Sequence, residues 1–117
     1  MQSNKSSRQS PRFHALDVAL ELIGVLRPIL SSIEKRDHGL AKQLRNAATS
    51  VPLNISEGNR RLGKDRTHLW SIAAGSADEA RTCLLIAQAW GYVEQAALEE
   101  PLELLDRELA MLWRLTH

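Results

Sequence analysis

A chain of 117 residues, of which 44% are hydrophobic and 25% are charged, is long enough to bury one core and too short for two domains. The formal net charge of +1 argues against a uniformly basic surface of the kind that coats nucleic acid. No apolar run reaches the roughly 20 residues that cross a bilayer, so we expect one cytoplasmic domain with no membrane partner.

The composition predicts an all-α protein, because leucine and alanine dominate the apolar residues and runs of β-branched residues are missing. Residues 1–12 lack the hydrophobic side chains that would offset the entropy cost of ordering, and we predict that they form a disordered tail. The rest of the chain, 13–117, is predicted to form a four-helix bundle. Its predicted helices span about 13–35, 39–60, 64–90 and 94–115.

Hydrophobic periodicity defines the first two helices. In the second helix, apolar residues recur from Leu40 to Ile55 at steps of three and four, and the phase survives Pro52, where an inserted loop would reset it. We therefore predict that Pro28 and Pro52 kink their helices without ending them. The predicted core stripe of the first helix is Leu16, Leu20, Ile23, Leu26, Leu30 and Ile33.

A C-terminal stop signal marks the third helix, and a stripe of leucines marks the fourth. Gly91 follows the third helix and is a residue type that ends helices. From Leu98 to Leu112, leucines recur at steps of four and three, a pattern typical of a packed helix. Connections of a few residues place consecutive helices antiparallel, so we predict an up-down-up-down bundle.

No arrangement of residues predicts a catalytic, cofactor or metal site. The Glu-x-x-His motif of bundle metal centres is absent, and Cys83 lies in an apolar helical segment where a thiol is buried and inert. The glycosylation pattern at residues 54–56 has no meaning in a cytoplasmic chain. We predict that the protein is not an enzyme and binds no cofactor or metal. The remaining catalytic alternative is a site built on Glu57 and Glu79.

A second stripe on the second helix is polar, and two polar residues interrupt an apolar seam of the third helix. We predict an interhelical polar network that fixes helix register or a subunit contact. Its members are Gln43, Arg45, Ser50, Asn54, Glu57, Ser76 and Glu79. Two alternatives stay open, namely a ligand site that uses Glu57, Glu79 and Arg45, and a plain solvated surface.

Charge is distributed unevenly along the chain. Residues 42–66 carry six basic and two acidic side chains, whereas residues 94–110 carry six acidic side chains and one basic. Basic clusters bind phosphates by releasing counterions. A contact with RNA, another nucleic acid or an acidic partner is therefore predicted for Arg60, Arg61, Lys64 and Arg66. The alternatives are a solvated junction and a contact with the acidic fourth helix of a neighbouring subunit.

The three tryptophans are large for a core built mostly from leucine and alanine. Such residues are enriched at protein interfaces. Trp70, Trp90 and Trp113 are therefore candidate residues of an oligomer interface.

The stretch LAKQLRNAATSVPLNISEGNRR and the later stretch WSIAAGSADEARTCLLIAQAWGYV carry a family resemblance over residues 14–115. They resemble the bacterial four-helix-bundle family associated with intervening sequences of large-subunit (23S) ribosomal RNA genes. The most specific pieces are Gln43-Leu44-Arg45, Ser50-Val51-Pro52, Asn54-Ile55, Glu57-Gly58, Ile72-Ala73, Gly75-Ser76 and Glu79.

The resemblance implies a small cytoplasmic bundle that assembles as a homopentamer and has no established catalytic activity. The family includes an accessory protein of diversity-generating retroelements, which is similar to a basic pentamer that binds a reverse transcriptase and nucleic acid. The hypothesis that follows is a homo-oligomeric binding or scaffold module that contacts RNA. The alternative is a protein–protein adaptor that makes no nucleic-acid contact.

Overall fold

The computed structural model describes residues 10–117 and shows the predicted all-α fold. It contains four helices, α1 (Pro11–Arg36), α2 (His38–Asn59), α3 (Gly63–Ala89) and α4 (Gln95–Thr116). Each helix begins and ends within two residues of its predicted bounds. Residues 1–9 of the predicted tail lie outside the described residues. The last two residues of the predicted tail, 11 and 12, belong to α1. Within residues 10–117, none of the helices combines the length and apolar character that a bilayer crossing requires.

One residue, Asp37, forms the whole connection between α1 and α2. Its backbone N–H donates to the carbonyl of Ile33 at 2.7 Å and closes α1. Its side chain accepts a hydrogen bond from the N–H of Leu40 at 2.9 Å, which caps the first turn of α2. The Tyr92 hydroxyl, in the α3–α4 connection, donates to the second carboxylate oxygen at 3.1 Å. The two connections therefore meet at one end of the domain, which we call the Asp37 end.

The opposite end joins the start of α1 to the end of α2, where the Arg12 guanidinium donates to the carbonyl of Asn59 at 3.5 Å. Each helix packs against the next one in sequence, and α1 also packs against α4. These contacts support the up-down order, which stays a prediction, as do the kinks. The chain remains helical through its three internal prolines, Pro28, Pro52 and Pro101.

The core stripe predicted for α2, from Leu40 to Ile55, is buried, but the stripe predicted for α1 is partly wrong. Leu20 is 53% exposed. Because α1 carries apolar residues on adjacent faces, packing selects between them, and small Ala15 and Ala19 let the neighbouring helices approach closely. The buried face of α1 consists of Ala15, Val18, Ala19, Leu22, Leu26, Ile29 and Ile33.

A carboxyl group lies within this core. Glu108 belongs to a row of α4 between Leu104 and Leu112, and its side chain is 0% exposed. Neither of its carboxyl oxygens has a hydrogen-bond partner among residues 10–117. Desolvation by burial raises the pKa of Glu108 to about 8. Glu108 is one of the six acidic residues counted in 94–110, but its burial removes it from the surface of α4.

The buried carboxyl predicts a loss of stability as pH rises. The pKa of Glu108 is about 8 in the folded state and 4.5 in the unfolded state, so the folded state holds the proton more tightly. Its contribution to stability is complete below pH 4.5 and is lost as pH rises through 8. Glu108→Gln stays neutral at every pH, so its free energy of unfolding is expected to exceed that of the wild type by up to about 5 kcal/mol in alkaline solution.

Urea denaturation at a series of pH values measures this difference. Glu103→Gln, a change at an exposed position of the same helix, is the control and should track the wild type. A constant difference between the wild type and Glu108→Gln across the series would contradict the buried, protonated state.

Candidate nucleic-acid interface

The α2–α3 connection, residues 60–62, carries the predicted basic cluster. The backbone N–H groups of Arg60 and Arg61 donate to the carbonyls of Glu57 and Gly58, at 3.1 and 3.0 Å, and close α2. Gly63 then starts α3 with φ of +59°, a left-handed conformation that favours glycine. This tight connection directs the cationic side chains away from the core.

Two members of the cluster, Arg60 and Lys64, are exposed, and neither forms an ion pair among residues 10–117. Arg61 is also half exposed, but its Nε and Nη2 atoms donate to one carboxylate oxygen of Glu57 at 3.1 and 2.7 Å. An ion pair of this kind on a helix surface contributes little to stability, so an incoming phosphate can compete for Arg61.

Arg66 has a structural role that the sequence did not indicate. Its Nε donates to the carbonyl of Gly58 and its Nη2 to that of Asn59, both at 3.1 Å. The last carbonyls of a helix have no partner within the helix, and here the guanidinium supplies one. The same group lies 5.3 Å from the centre of the Trp70 ring. Arg66 therefore caps the end of α2, and its contact with a partner stays a prediction.

Trp70 is a core residue that is only 6% exposed. Its Nε1 donates to the side-chain oxygen of Asn59 at 3.2 Å. The ring lies so close to Gly58 that a Cβ there would be 2.7 Å from ring atoms Cδ1 and Nε1. Trp70 therefore has little exposed surface in a single subunit, and its place in an oligomer interface stays a prediction.

The other two tryptophans are at the surface. Trp90 is 68% exposed at the Asp37 end and stacks on Tyr92, with ring centres 6.4 Å apart. Trp113 is 60% exposed in the last turns of α4 and stacks on His117, with ring centres 4.4 Å apart and planes inclined by 11°. Their participation in an oligomer interface stays a prediction.

The predicted polar network is smaller than expected. The Ser76 hydroxyl donates to the Ser50 hydroxyl oxygen across α2 and α3 at 2.7 Å. The Asn54 amide donates to the same oxygen and to the carbonyl of Ser50, both at 2.9 Å. These three residues link the two helices, as a register-fixing network would.

The remaining four members of the predicted network lie elsewhere. Gln43 and Glu79 are exposed, Glu57 pairs with Arg61, and Arg45 lies 3.9 Å from a carboxylate oxygen of Glu34. No hydrogen bond joins Glu57 to Glu79 among the described residues. A catalytic role for the two carboxylates stays a prediction.

Few side chains among the described residues are suited to bind a metal or to act as a nucleophile. No set of three His, Cys, Asp or Glu side chains in residues 10–117 has a metal-binding arrangement. Burial, followed by the charge of Glu79, raises the pKa of the Cys83 thiol. A raised thiol pKa lowers the fraction of reactive thiolate.

Comparison with known proteins identifies the family. Residues 14–114 match the family model described as 23S rRNA-intervening sequence protein. The chain belongs to this family. The match confirms the resemblance carried by the motifs of α2 and α3, and it spans all four helices.

A solved structure shows the same fold. It is the crystal structure of a Bacteroides thetaiotaomicron VPI-5482 protein of unknown function, which is described as a member of the S23 ribosomal protein family. The alignment covers 92% of this family member and 98% of the other chain, with a TM-score of 0.81 and 17% sequence identity. At that identity the likeness establishes the fold alone. No curated protein matches the chain.

The close approach of Gly58 to Trp70 predicts a sharp cost for one added methyl group. Gly58→Ala would place its Cβ 2.7 Å from the indole and 3.3 Å from the backbone carbonyl of Arg66. Thermal unfolding should show that the free energy of unfolding falls by about 1–3 kcal/mol, because the Trp70 ring or α2 must move to make room for the methyl group.

Gly24→Ala is the matched control, since a Cβ at this helical position meets nothing within 4 Å. Its higher helix propensity should stabilise the protein by about 0.5–1 kcal/mol. Equal melting temperatures for the two variants would show that α2 and α3 are not packed as described.

Proposed function

We propose that this member of the 23S rRNA-intervening sequence protein family is a non-enzymatic, homo-oligomeric binding module of the cytoplasm that contacts RNA through the α2–α3 connection. The observation that carries the proposal is the exposure of Arg60 and Lys64, which lack ion-pair partners among residues 10–117. Arg61 adds a third cation that a phosphate can recruit from Glu57. Three cations on one short connection suit the phosphates of RNA or another nucleic acid.

The distribution of charge supports self-association. Helices α2 and α4 each pack on both α1 and α3, so they lie on opposite sides of the domain. The side of α2 is basic through Lys42 and Arg45, whereas α4 is acidic through Glu99, Glu100 and Glu103. Opposite charges on opposite sides favour a head-to-tail contact between copies, which forms a ring when the rotation closes.

A pentamer is the assembly that the resemblance implies. In a ring, each subunit presents its own α2–α3 connection, so five weak phosphate contacts would act together on one RNA. Light scattering tests the assembly and should give about five times the subunit mass of 13.1 kDa. A monomer at micromolar concentration would contradict it.

RNA binding is tested by filter binding against a structured RNA at several salt concentrations. The wild type should bind with an affinity that falls steeply as salt rises. Arg60→Ala/Lys64→Ala should weaken binding and lower the salt slope by about two for each subunit that contacts the RNA, one for each lost phosphate contact. Its melting temperature should stay unchanged, because both side chains are exposed.

Lys35→Ala/Arg36→Ala is the matched control, because it removes the same charge from exposed positions at the Asp37 end. It should leave RNA binding nearly unchanged. Salt-insensitive binding by the wild type, or an equal loss in the two double variants, would overturn the proposal.

A protein–protein adaptor is the second candidate, and the exposed tryptophans favour it. Trp90 and Trp113 each present more than half of their surface to solvent, and such residues often anchor protein interfaces. Co-purification of one defined protein that persists after nuclease treatment, together with an absence of salt-sensitive RNA binding, would support the adaptor over the RNA-binding module.

A further inference from the structure

Three separate segments of the chain meet at the end opposite Asp37. The hydrogen bond from Arg12 to the carbonyl of Asn59 joins the first turn of α1 to the end of α2. The bond from Tyr92 to Asp37 places the start of α4 at the far end. Because α4 packs along α1, its last turns return to the end where α1 begins.

The residues that α1 and α4 contribute to a shared cavity show which part of α4 lies beside which part of α1. A cavity of about 420 Å³ between the two helices is lined by residues that include Val25, Pro28 and Ile29 of α1 and Ala97, Glu100 and Pro101 of α4. Both helices advance by about 1.5 Å per residue in opposite directions from this level. Trp113 therefore lies beside the first turns of α1. We call this end, with residues 11–14, 56–66 and 113–117, the basic end.

The basic end concentrates positive charge. Its carboxylates are Glu57 and Asp65, whereas its cations are Arg12, Arg60, Arg61, Lys64, Arg66 and Arg114. The corresponding residues of the Asp37 end, 33–41 and 86–98, carry Lys35 and Arg36 against Glu34, Asp37 and Glu94. One end of the domain thus attracts polyanions, and the other does not.

Exposed aromatic rings accompany these cations. Trp113 is 60% exposed and parallel to the ring of His117, which makes a flat stack at the surface. Phe13 is also exposed, and the Arg12 guanidinium lies 5.0 Å from the centre of its ring. Exposed aromatic rings beside phosphate-binding cations are the arrangement that proteins use for single-stranded nucleic acid, whose unpaired bases stack on the rings.

We infer that the basic end selects single-stranded RNA, with Trp113 stacking on an unpaired base beside Arg114, while Arg60 and Lys64 neutralise phosphates further along the strand. The inference rests on the proposed RNA binding and adds the class of RNA that is bound. Bases in a duplex are already paired and stacked, so a duplex offers phosphates to the cations but no free base to Trp113.

Fluorescence anisotropy with a labelled oligouridylate of about twelve nucleotides and a duplex of equal length tests the inference. Trp113→Leu should weaken binding to the single strand by about 5- to 150-fold, the range expected for the loss of one base–aromatic stack. Its affinity for the duplex should stay the same. Trp113→Phe should restore part of the single-strand affinity, because phenylalanine keeps a ring on which a base can stack.

Trp90→Leu is the matched control, since Trp90 is as exposed as Trp113 but lies at the Asp37 end. It should leave single-strand binding unchanged. Equal losses in the two leucine variants, or equal wild-type affinity for both forms of RNA, would overturn the inference and leave the proposed RNA binding intact. If the wild type binds neither RNA in a salt-sensitive manner, the proposed function itself fails.

Light scattering separates stacking from assembly. Trp113→Leu should keep the mass of the wild-type oligomer. A variant that loses both its assembly and its single-strand binding would show that Trp113 serves the subunit interface, and the inference would be wrong.

Discussion

The contact between Gly58 and Trp70 is the constraint on which the basic end of the domain depends. Because Gly58 has no side chain, the indole of α3 lies directly against the last turn of α2. That approach brings Arg66 within reach of the carbonyls of Gly58 and Asn59 at the end of α2. The connection between the helices spans residues 60–62, and it leaves Arg60 and Lys64 exposed to solvent.

The four basic residues of this region illustrate how one charge cluster divides into roles. Arg66 supports the helix end, Arg61 pairs with a neighbouring carboxylate, and Arg60 and Lys64 form no ion pair among residues 10–117. The side chain of Arg66 bridges two helices, so its loss would disturb the other three cations as well. A deficit in RNA binding after its substitution would therefore not distinguish a lost phosphate contact from a displaced connection.

Much of the fold was predictable because the helices repeat their apolar residues with a regular period and end at recognisable residues such as Gly91. Local patterns do not determine which of several apolar faces turns inward, and Leu20 was misplaced for that reason. The role of Arg66 depends on the relative placement of two helix ends, which sequence spacing does not give. The pairing of Ser50 with Ser76 was predictable, because both are polar residues within or beside apolar stripes. The burial of Glu108 had a comparable signal, since leucines lie four residues to either side of it.

The single-residue connection at Asp37 has a consequence for how this chain tolerates changes in length. The residue ends one helix, caps the next, and accepts a hydrogen bond from the α3–α4 connection, so its position is set by three segments at once. An inserted residue there would break at least one of these bonds and rotate α2 relative to α1. Length variation among relatives with this arrangement should instead accumulate around residues 93–95, where the chain crosses to α4 after Tyr92 and no helix cap is formed by a side chain.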